Sequence, residues 1–122
     1  MKTMRALFTV IVLSLFAGMG WAAEMTPEQI AGTTKVTAED VIALVEKHED
    51  LVIIDARTRK DNAAGWIEGA VSLPDTETDP AALAANIPSK STPVLFYCNG
   101  VKCGRSVKSS KLAVAEGYTN IF

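Results

Sequence analysis

A strand, a glycine-containing loop and a helix follow one another directly between residues 93 and 116. The apolar run Val94–Tyr97 predicts a short buried strand, and a helical pattern covers residues 105–116. The loop between them starts at Cys98 and reads CNGVKCG. A strand that leads into a helix is typical of parallel sheets, because parallel neighbours need a crossover connection. This stretch therefore favours an α/β fold.

Strands and helices continue to alternate through the rest of the chain. Apolar runs at residues 51–54 and 70–73 predict two further strands, and residues 119–122 begin a last one. Helices are predicted after Thr37, where T-A-E-D resembles a capping box, and from Pro80 to Ile87. We predict an α/β fold, a three-layer sandwich with a mostly parallel central sheet flanked by helices.

Cys98 stands where the strand ends and the helix is about to begin. Backbone N–H groups in such a loop and at a helix start favour negative charge, so a thiol there loses its proton more easily. Four cations follow it, with no acid before Glu116: Lys102, Arg105, Lys108 and Lys111. We interpret the stretch as a cradle for a thiolate and an anionic substrate. A buried cysteine that acts as a small hydrophobe is the alternative.

The composition limits the classes of partner. A chain of 122 residues suggests a single domain, and 48% hydrophobic residues suffice for a packed core. The formal net charge of −2 argues against nucleic acid as the main partner. The single histidine, His48, ends a predicted helix and is interpreted as a capping or surface residue. Two cysteines without a nearby histidine are too few for a closed zinc site, so we predict no metal and no cofactor.

The first 22 residues are typical of a cleaved signal peptide. Two basic residues precede an apolar run at 6–17, and small residues favour cleavage after Ala22. The predicted location is therefore the periplasm. A retained membrane anchor facing the periplasm is the alternative, because an uncharged span of eighteen residues is at the short edge for crossing a bilayer. Residues 23–35 are expected to be a polar lead-in without strong structure, and residues 36–122 the domain.

Two motifs together resemble the rhodanese (thiosulfate sulfurtransferase) family over residues 36–122. One is the apolar strand that ends at Cys98, with its glycine-containing loop and an Arg-Ser pair at the start of a helix. The other is a series of short signatures: Asp55-Ala-Arg57, Asp61, Gly65-Trp66-Ile67, Gly69-Ala70 and Leu73-Pro74. Each motif alone is weak, but their order and spacing together are specific.

The resemblance implies a rhodanese-like sandwich and sulfur transfer through a persulfide on Cys98. The donor would be thiosulfate or a similar small anion, and the acceptor a thiol, which a partner protein could carry, or cyanide. The resemblance implies that Asp55, Arg57 and Asp61 support the site. We interpret Arg57 and Asp61 as a structural ion pair near the loop, with direct substrate binding as the alternative. The substrate-binding loop would comprise Asn99, Gly100, Val101, Lys102, Cys103, Gly104 and Arg105. No stable membrane insertion is expected after signal cleavage.

The sequence departs from the family pattern at three places. Trp66 replaces the usual histidine, whose role is mainly structural. Six residues separate Cys98 from Arg105, which is longer than in typical single-domain rhodaneses or in the family's phosphatases. The glycine-rich turn and tryptophan-bearing helix that usually close the domain do not follow residue 122, so we expect a C-terminally incomplete domain with one sheet face uncovered.

Cys103 within the loop leaves the chemistry open. It is a resolving thiol that takes sulfur from Cys98 or forms a disulfide with it, or it is a spectator. Two cysteines in a secreted protein fit a disulfide by number, although the four-residue gap is not the redox C-x-x-C spacing. A thiol redox or sulfur-carrier protein and a catalytically silent rhodanese-like binding module are therefore alternatives to a sulfurtransferase, and a phosphatase is a more distant one.

Overall fold

A parallel three-stranded sheet lies at the centre of the domain. The computed structural model describes residues 26–122. Its strands are β1 (Val52–Asp55), β2 (Val71–Ser72) and β3 (Val94–Tyr97), in the order β2-β1-β3. Both neighbours pair with β1 in parallel register. Each connection between strands is therefore a crossover, and the predicted α/β sandwich with a parallel sheet is confirmed.

Within residues 26–122, four α-helices provide the crossovers and the flanking layers: α1 (Ala38–Lys47), α2 (Arg59–Ala63), α3 (Pro80–Asn86) and α4 (Arg105–Ala115). A 3₁₀ turn at Asp75–Glu77 follows β2. The predicted capping box at the start of α1 is confirmed. The Asp40 amide donates to the Thr37 hydroxyl, and the Thr37 amide donates back to the Asp40 carboxylate at 2.9 Å.

Two segments extend the sheet beyond β3. The Val94 and Phe96 amides donate to the carbonyls of Asn120 and Phe122 at 3.0 and 2.9 Å, so the last residues run beside β3. On their far side the Thr34 amide donates to the Ile121 carbonyl at 2.9 Å. Residues 26–35, predicted to be a lead-in without strong structure, form no helix or strand, but a turn and a bridge at Thr33 tie them to the sheet edge. This segment finds backbone partners at the sheet edge.

The predicted signal peptide, residues 1–22, and the first residues of the lead-in lie outside the described residues. Among residues 26–122, no helix is both long enough and apolar enough to cross a membrane.

The core forms where α3 and α4 pack on the sheet. It consists of Ile54, Leu73, Leu83, Ile87, Val94, Phe96, Ala113, Tyr118 and Ile121. In contrast, α1 buries no residue against the part of the chain that the structure describes, and its Ile42 and Val45 are 63% and 51% exposed. A cleft of about 480 Å³ lies between the lead-in, the start of α1, β3 and α4. One side of the sheet is thus much more open than the other.

Candidate active site

Asp55 is the buried anchor of the site at the carboxyl end of β1. Its side chain is fully buried and accepts hydrogen bonds from the Arg57 guanidinium at 2.9 and 2.7 Å. The Arg57 amide, the Asn62 side chain and the Tyr97 hydroxyl donate to it as well, each at 3.0 Å. Burial alone would raise the pKa of this carboxyl, but these donors outweigh burial and hold the pKa at about 2. Asp55 is therefore an ionised carboxylate with a structural role, and both of its oxygens accept hydrogen bonds.

Arg57 pairs with Asp55, so the predicted ion pair between Arg57 and Asp61 is wrong. Helix α2 begins only at Arg59, so the backbone at Arg57 is not helical and does not direct its side chain to the residue four positions later. Asp61 instead accepts from the Thr58 hydroxyl at 2.9 Å and from the Asn99 amide group at 3.3 Å. These two hydrogen bonds lower the pKa of Asp61. Asp61 thereby connects α2 to the loop that follows β3.

Tyr97 links the two sequence motifs. Its hydroxyl donates to Asp55 and accepts from the backbone amide of Ile67 at 3.2 Å. Arg57 donates to the Gly65 carbonyl at 2.6 Å in the same turn. The turn that contains Trp66 is therefore fixed to the ends of β1 and β3. Tyr97 was absent from the predicted site, although its position beside Cys98 at a strand end was a usable signal.

The loop after β3 carries the predicted nucleophile and closes on itself. Cys98 is half-buried, and a disulfide joins it to Cys103 with the two Cα atoms 6.2 Å apart. The Cys103 amide donates to the Gly100 carbonyl at 3.0 Å, and Gly100 has a φ of 132° that side-chain-bearing residues rarely adopt. Of the interpretations left open for Cys103, the structure has the disulfide with Cys98. In this state Cys98 has no thiolate, and only reduction exposes one.

Two of the four predicted cations bind an acid that the sequence analysis did not single out. Arg105, the first residue of α4, forms an ion pair with the largely buried Asp75, and the Lys108 ammonium lies 3.6 Å from its other oxygen. Burial raises the pKa of Asp75, but Arg105 and Lys108 outweigh burial and lower it. Asp75 directly follows the Leu73-Pro74 signature at the carboxyl end of β2, which was the available signal.

The remaining loop residues stay near Cys98. Asn99, Gly100, Val101, Lys102 and Cys103 line an open concavity, and Lys102 within it is exposed. Gly104 follows as the N-cap of α4. The cleft between the lead-in, β3 and α4 lies beside the same loop and is lined by Cys98, Tyr97 and Val101 among other residues. Among residues 26–122, no group of three or more His, Cys, Asp or Glu side chains is placed to hold a metal ion.

Comparisons with known proteins found one matching family model and several similar structures. The family model described as the Rhodanese-like domain matches residues 37–122. The human single-domain sulfurtransferase TSTD1 is 27% identical, with a TM-score of 0.57 over 75% of this chain and 87% of that one. No curated protein matches the chain in sequence.

Two bacterial structures share the fold at lower identity. The BH2092 protein of Bacillus halodurans is 19% identical, with a TM-score of 0.61 over 74% of this chain. The match spans only 64% of that protein's length. The Alr3790 protein of Anabaena sp. is 20% identical, with a TM-score of 0.60 over 70% of this chain and 73% of that one.

Proposed function

The chain belongs to the rhodanese-like domain family, and from this premise we propose that it is a sulfurtransferase. It moves a sulfane sulfur from thiosulfate or a similar donor to a thiol or cyanide through a persulfide on Cys98. One observation carries the proposal: Cys98 lies at the carboxyl end of β3, in a loop tied to the rest of the site through Asn99 and Asp61. Parallel sheets gather reactive groups at that end of the strands.

The first half-reaction loads sulfur onto Cys98. The thiolate attacks the outer sulfur of thiosulfate, a new S–S bond forms, and the S–S bond of thiosulfate breaks with sulfite as the leaving group. An ordinary thiol with a pKa of about 8.5 is mostly protonated at neutral pH, so the site must favour the thiolate. Backbone N–H groups of residues 99–102 and of Gly104, together with the Lys102 ammonium, are the groups proposed to do so.

The second half-reaction returns the thiolate. An acceptor thiolate attacks the outer persulfide sulfur, takes it as a new persulfide, and leaves the electron pair of the broken S–S bond on Cys98. Cyanide would take the same sulfur as thiocyanate. The partners proposed are thus a small anionic sulfur donor and a thiol acceptor, which a protein could carry. We expect this exchange in the periplasm, on the basis of the signal peptide predicted at residues 1–22.

The observed disulfide favours a second candidate, a thiol redox or sulfur-carrier protein that uses both cysteines. In this candidate the Cys103 thiolate attacks the inner sulfur of the Cys98 persulfide. The disulfide between the two residues forms and sulfide leaves with the electron pair. A dithiol reductant then has to restore the two thiols before another cycle, becoming a disulfide itself.

Intact-mass measurement separates the candidates. The protein is reduced, freed of reductant, and exposed to thiosulfate, alongside Cys98→Ser and its matched control Cys103→Ser. A sulfurtransferase gains one sulfur atom in the native chain and in Cys103→Ser, and none in Cys98→Ser. A redox protein gains lasting sulfur only in Cys103→Ser, while the native chain loses two hydrogens and releases sulfide. Loss of sulfur loading in Cys103→Ser alone would show that Cys103 takes part, whereas no change of mass in either the native chain or Cys103→Ser refutes both candidates and leaves a silent binding module.

A further inference from the structure

The lead-in segment reaches the loop that carries Cys98. The backbone amide of Thr26 donates to the Val101 carbonyl at 3.2 Å, and the Thr26 hydroxyl donates to the same oxygen. Val101 lies three residues after Cys98 in the loop, and it is 60% exposed. A segment that precedes the domain in sequence thus supplies two hydrogen-bond donors to one carbonyl of the candidate site.

The other end of this segment is fixed to the fold. Thr33 and Thr34 pair with Ile121 at the sheet edge. Gly32 has a φ of 83°, and a Cβ placed there would lie 3.1 Å from the nearest Val114 methyl carbon, so the backbone passes directly over α4. Because one end is anchored to the sheet, the hydrogen bonds at Thr26 can hold the loop in place rather than simply follow it.

The orientation of the Val101 carbonyl sets that of the next amide. In a trans peptide the C=O and the following N–H point in opposite directions. When the Val101 carbonyl points toward Thr26, the Lys102 N–H therefore points away from Thr26. A carbonyl that rotated freely could instead present its negative end to a sulfur anion. Backbone dipoles stabilise an anion only when they are held in the required orientation.

We propose that Thr26 is a positioning residue, which holds the Val101–Lys102 peptide in the orientation that favours a thiolate at Cys98. The inference rests on the proposed function in one respect, namely that Cys98 works as a thiolate. Thr26 itself does not touch the reacting sulfur. Its contribution is to keep the loop amides in that orientation while the sulfur donor leaves and the thiol acceptor binds.

Alkylation of Cys98 tests the proposal without depending on sulfur transfer. In a Cys103→Ser background Cys98 is the single thiol, because the chain has two cysteines. Iodoacetamide reacts with the thiolate, forming a C–S bond as iodide leaves, and its rate is measured against pH. Thr26→Val removes the hydroxyl donor and keeps the amide. We expect alkylation at pH 7 to slow about two- to tenfold, the effect of one hydrogen bond, with the midpoint of the pH profile moved upward.

The chain offers a matched control. The Thr119 amide and hydroxyl both donate to the Lys90 carbonyl, at 2.9 and 3.2 Å, away from the loop. Thr119→Val should leave the profile unchanged, and Thr26→Ser should restore the parent rate. Hydrogen exchange should quicken at residues 99–104 in Thr26→Val.

The proposal would be overturned if the alkylation rate of Thr26→Val followed the same pH profile as that of its parent. It would also be overturned if Thr119→Val moved the midpoint of that profile as far as Thr26→Val does. Thiosulfate loading of the Cys103→Ser parent, measured by mass, reports separately on the proposed function. A chain that loads sulfur but shows no Thr26 effect therefore refutes this inference alone.

Discussion

Replacing Asp55 with asparagine should destabilise the fold in a strongly pH-dependent way. Asp55→Asn keeps the shape of the side chain but removes the charge that accepts from Arg57, Asn62 and Tyr97. The Arg57 side chain is only 15% exposed and would lose its counter-ion. Breaking a buried ion pair on one side costs about 3–5 kcal/mol. We therefore expect a loss of about that size in the free energy of unfolding at pH 7.

The sign of the pH dependence follows from the pKa of Asp55. That pKa is lowered from 3.8 to about 2 in the fold, so the ionised carboxylate contributes stability that is complete above pH 3.8. The contribution is lost as pH falls through 3.8 toward 2. A difference of this size corresponds to about 2 kcal/mol, at about 1.4 kcal/mol for each pKa unit. The difference in the free energy of unfolding between the native chain and Asp55→Asn should narrow by most of that amount between pH 7 and pH 2.5.

Urea unfolding followed by circular dichroism at pH 7, 5, 3.5 and 2.5 measures this difference. The exposed Asp50 provides a control, since Asp50→Asn should change the free energy of unfolding by less than about 0.5 kcal/mol at pH 7. In a contrary result, the free energy of unfolding of the native chain would exceed that of Asp55→Asn only slightly at pH 7, or by a constant amount down to pH 2.5. Either result would show that Asp55 is not a buried carboxylate stabilised by its hydrogen-bond donors.

Three further outcomes test the same site. Tyr97→Phe removes the hydroxyl between Asp55 and the Ile67 amide and should lower the free energy of unfolding by about 1–3 kcal/mol in urea, since a buried acceptor loses its donor. Without reductant, Cys103→Ser should take up sulfur from thiosulfate while the oxidised native chain takes up none, as mass measurement would reveal. Gly32→Ala places a Cβ against Val114 at a φ of 83°. It should lower the melting temperature by a few degrees, which corresponds to about 1 kcal/mol of unfolding free energy. An unchanged melting temperature would mean that residues 26–35 are not held against α4.

Local signals in the sequence were sufficient for the architecture. The strands are short apolar runs bounded by proline, glycine or charged residues, and helix α3 begins at a proline as its pattern predicts. The pairing of Thr34 with Ile121 could not be predicted in this way, because the two residues are far apart in sequence and, although residues 119–122 read as the start of a strand, nothing at Thr34 indicates pairing with it. The lead-in therefore looked unstructured from its composition alone.

The ion-pair partner of Arg57 is a second feature that the sequence did not determine. The resemblance to the rhodanese family identified Asp55, Arg57 and Asp61 as a group, but it did not determine which acid Arg57 would bind. That choice depends on where α2 begins, and a boundary shift of two residues changes which side chains face each other. Asp55 gains the guanidinium because it is completely buried at a strand end, where an unpaired carboxylate would be most costly.

Ion pairing with Asp75 changes the electrostatics of the loop. The sequence offered four cations to an anion at Cys98, but Arg105 and Lys108 both bind Asp75 in the structure. Asp75 offsets one of these two positive charges and holds both side chains beside it, so we expect a thiolate or persulfide to depend more on the backbone amides of the loop than on Arg105 and Lys108. Fixed dipoles at short range are screened by salt much less than exposed side chains are. Sulfur loading of the reduced protein should then change little between low and physiological salt, whereas a site dominated by free lysines and arginines would weaken clearly. This reliance on amide orientation is why a hydrogen bond to the Val101 carbonyl can matter for a sulfur atom three residues away.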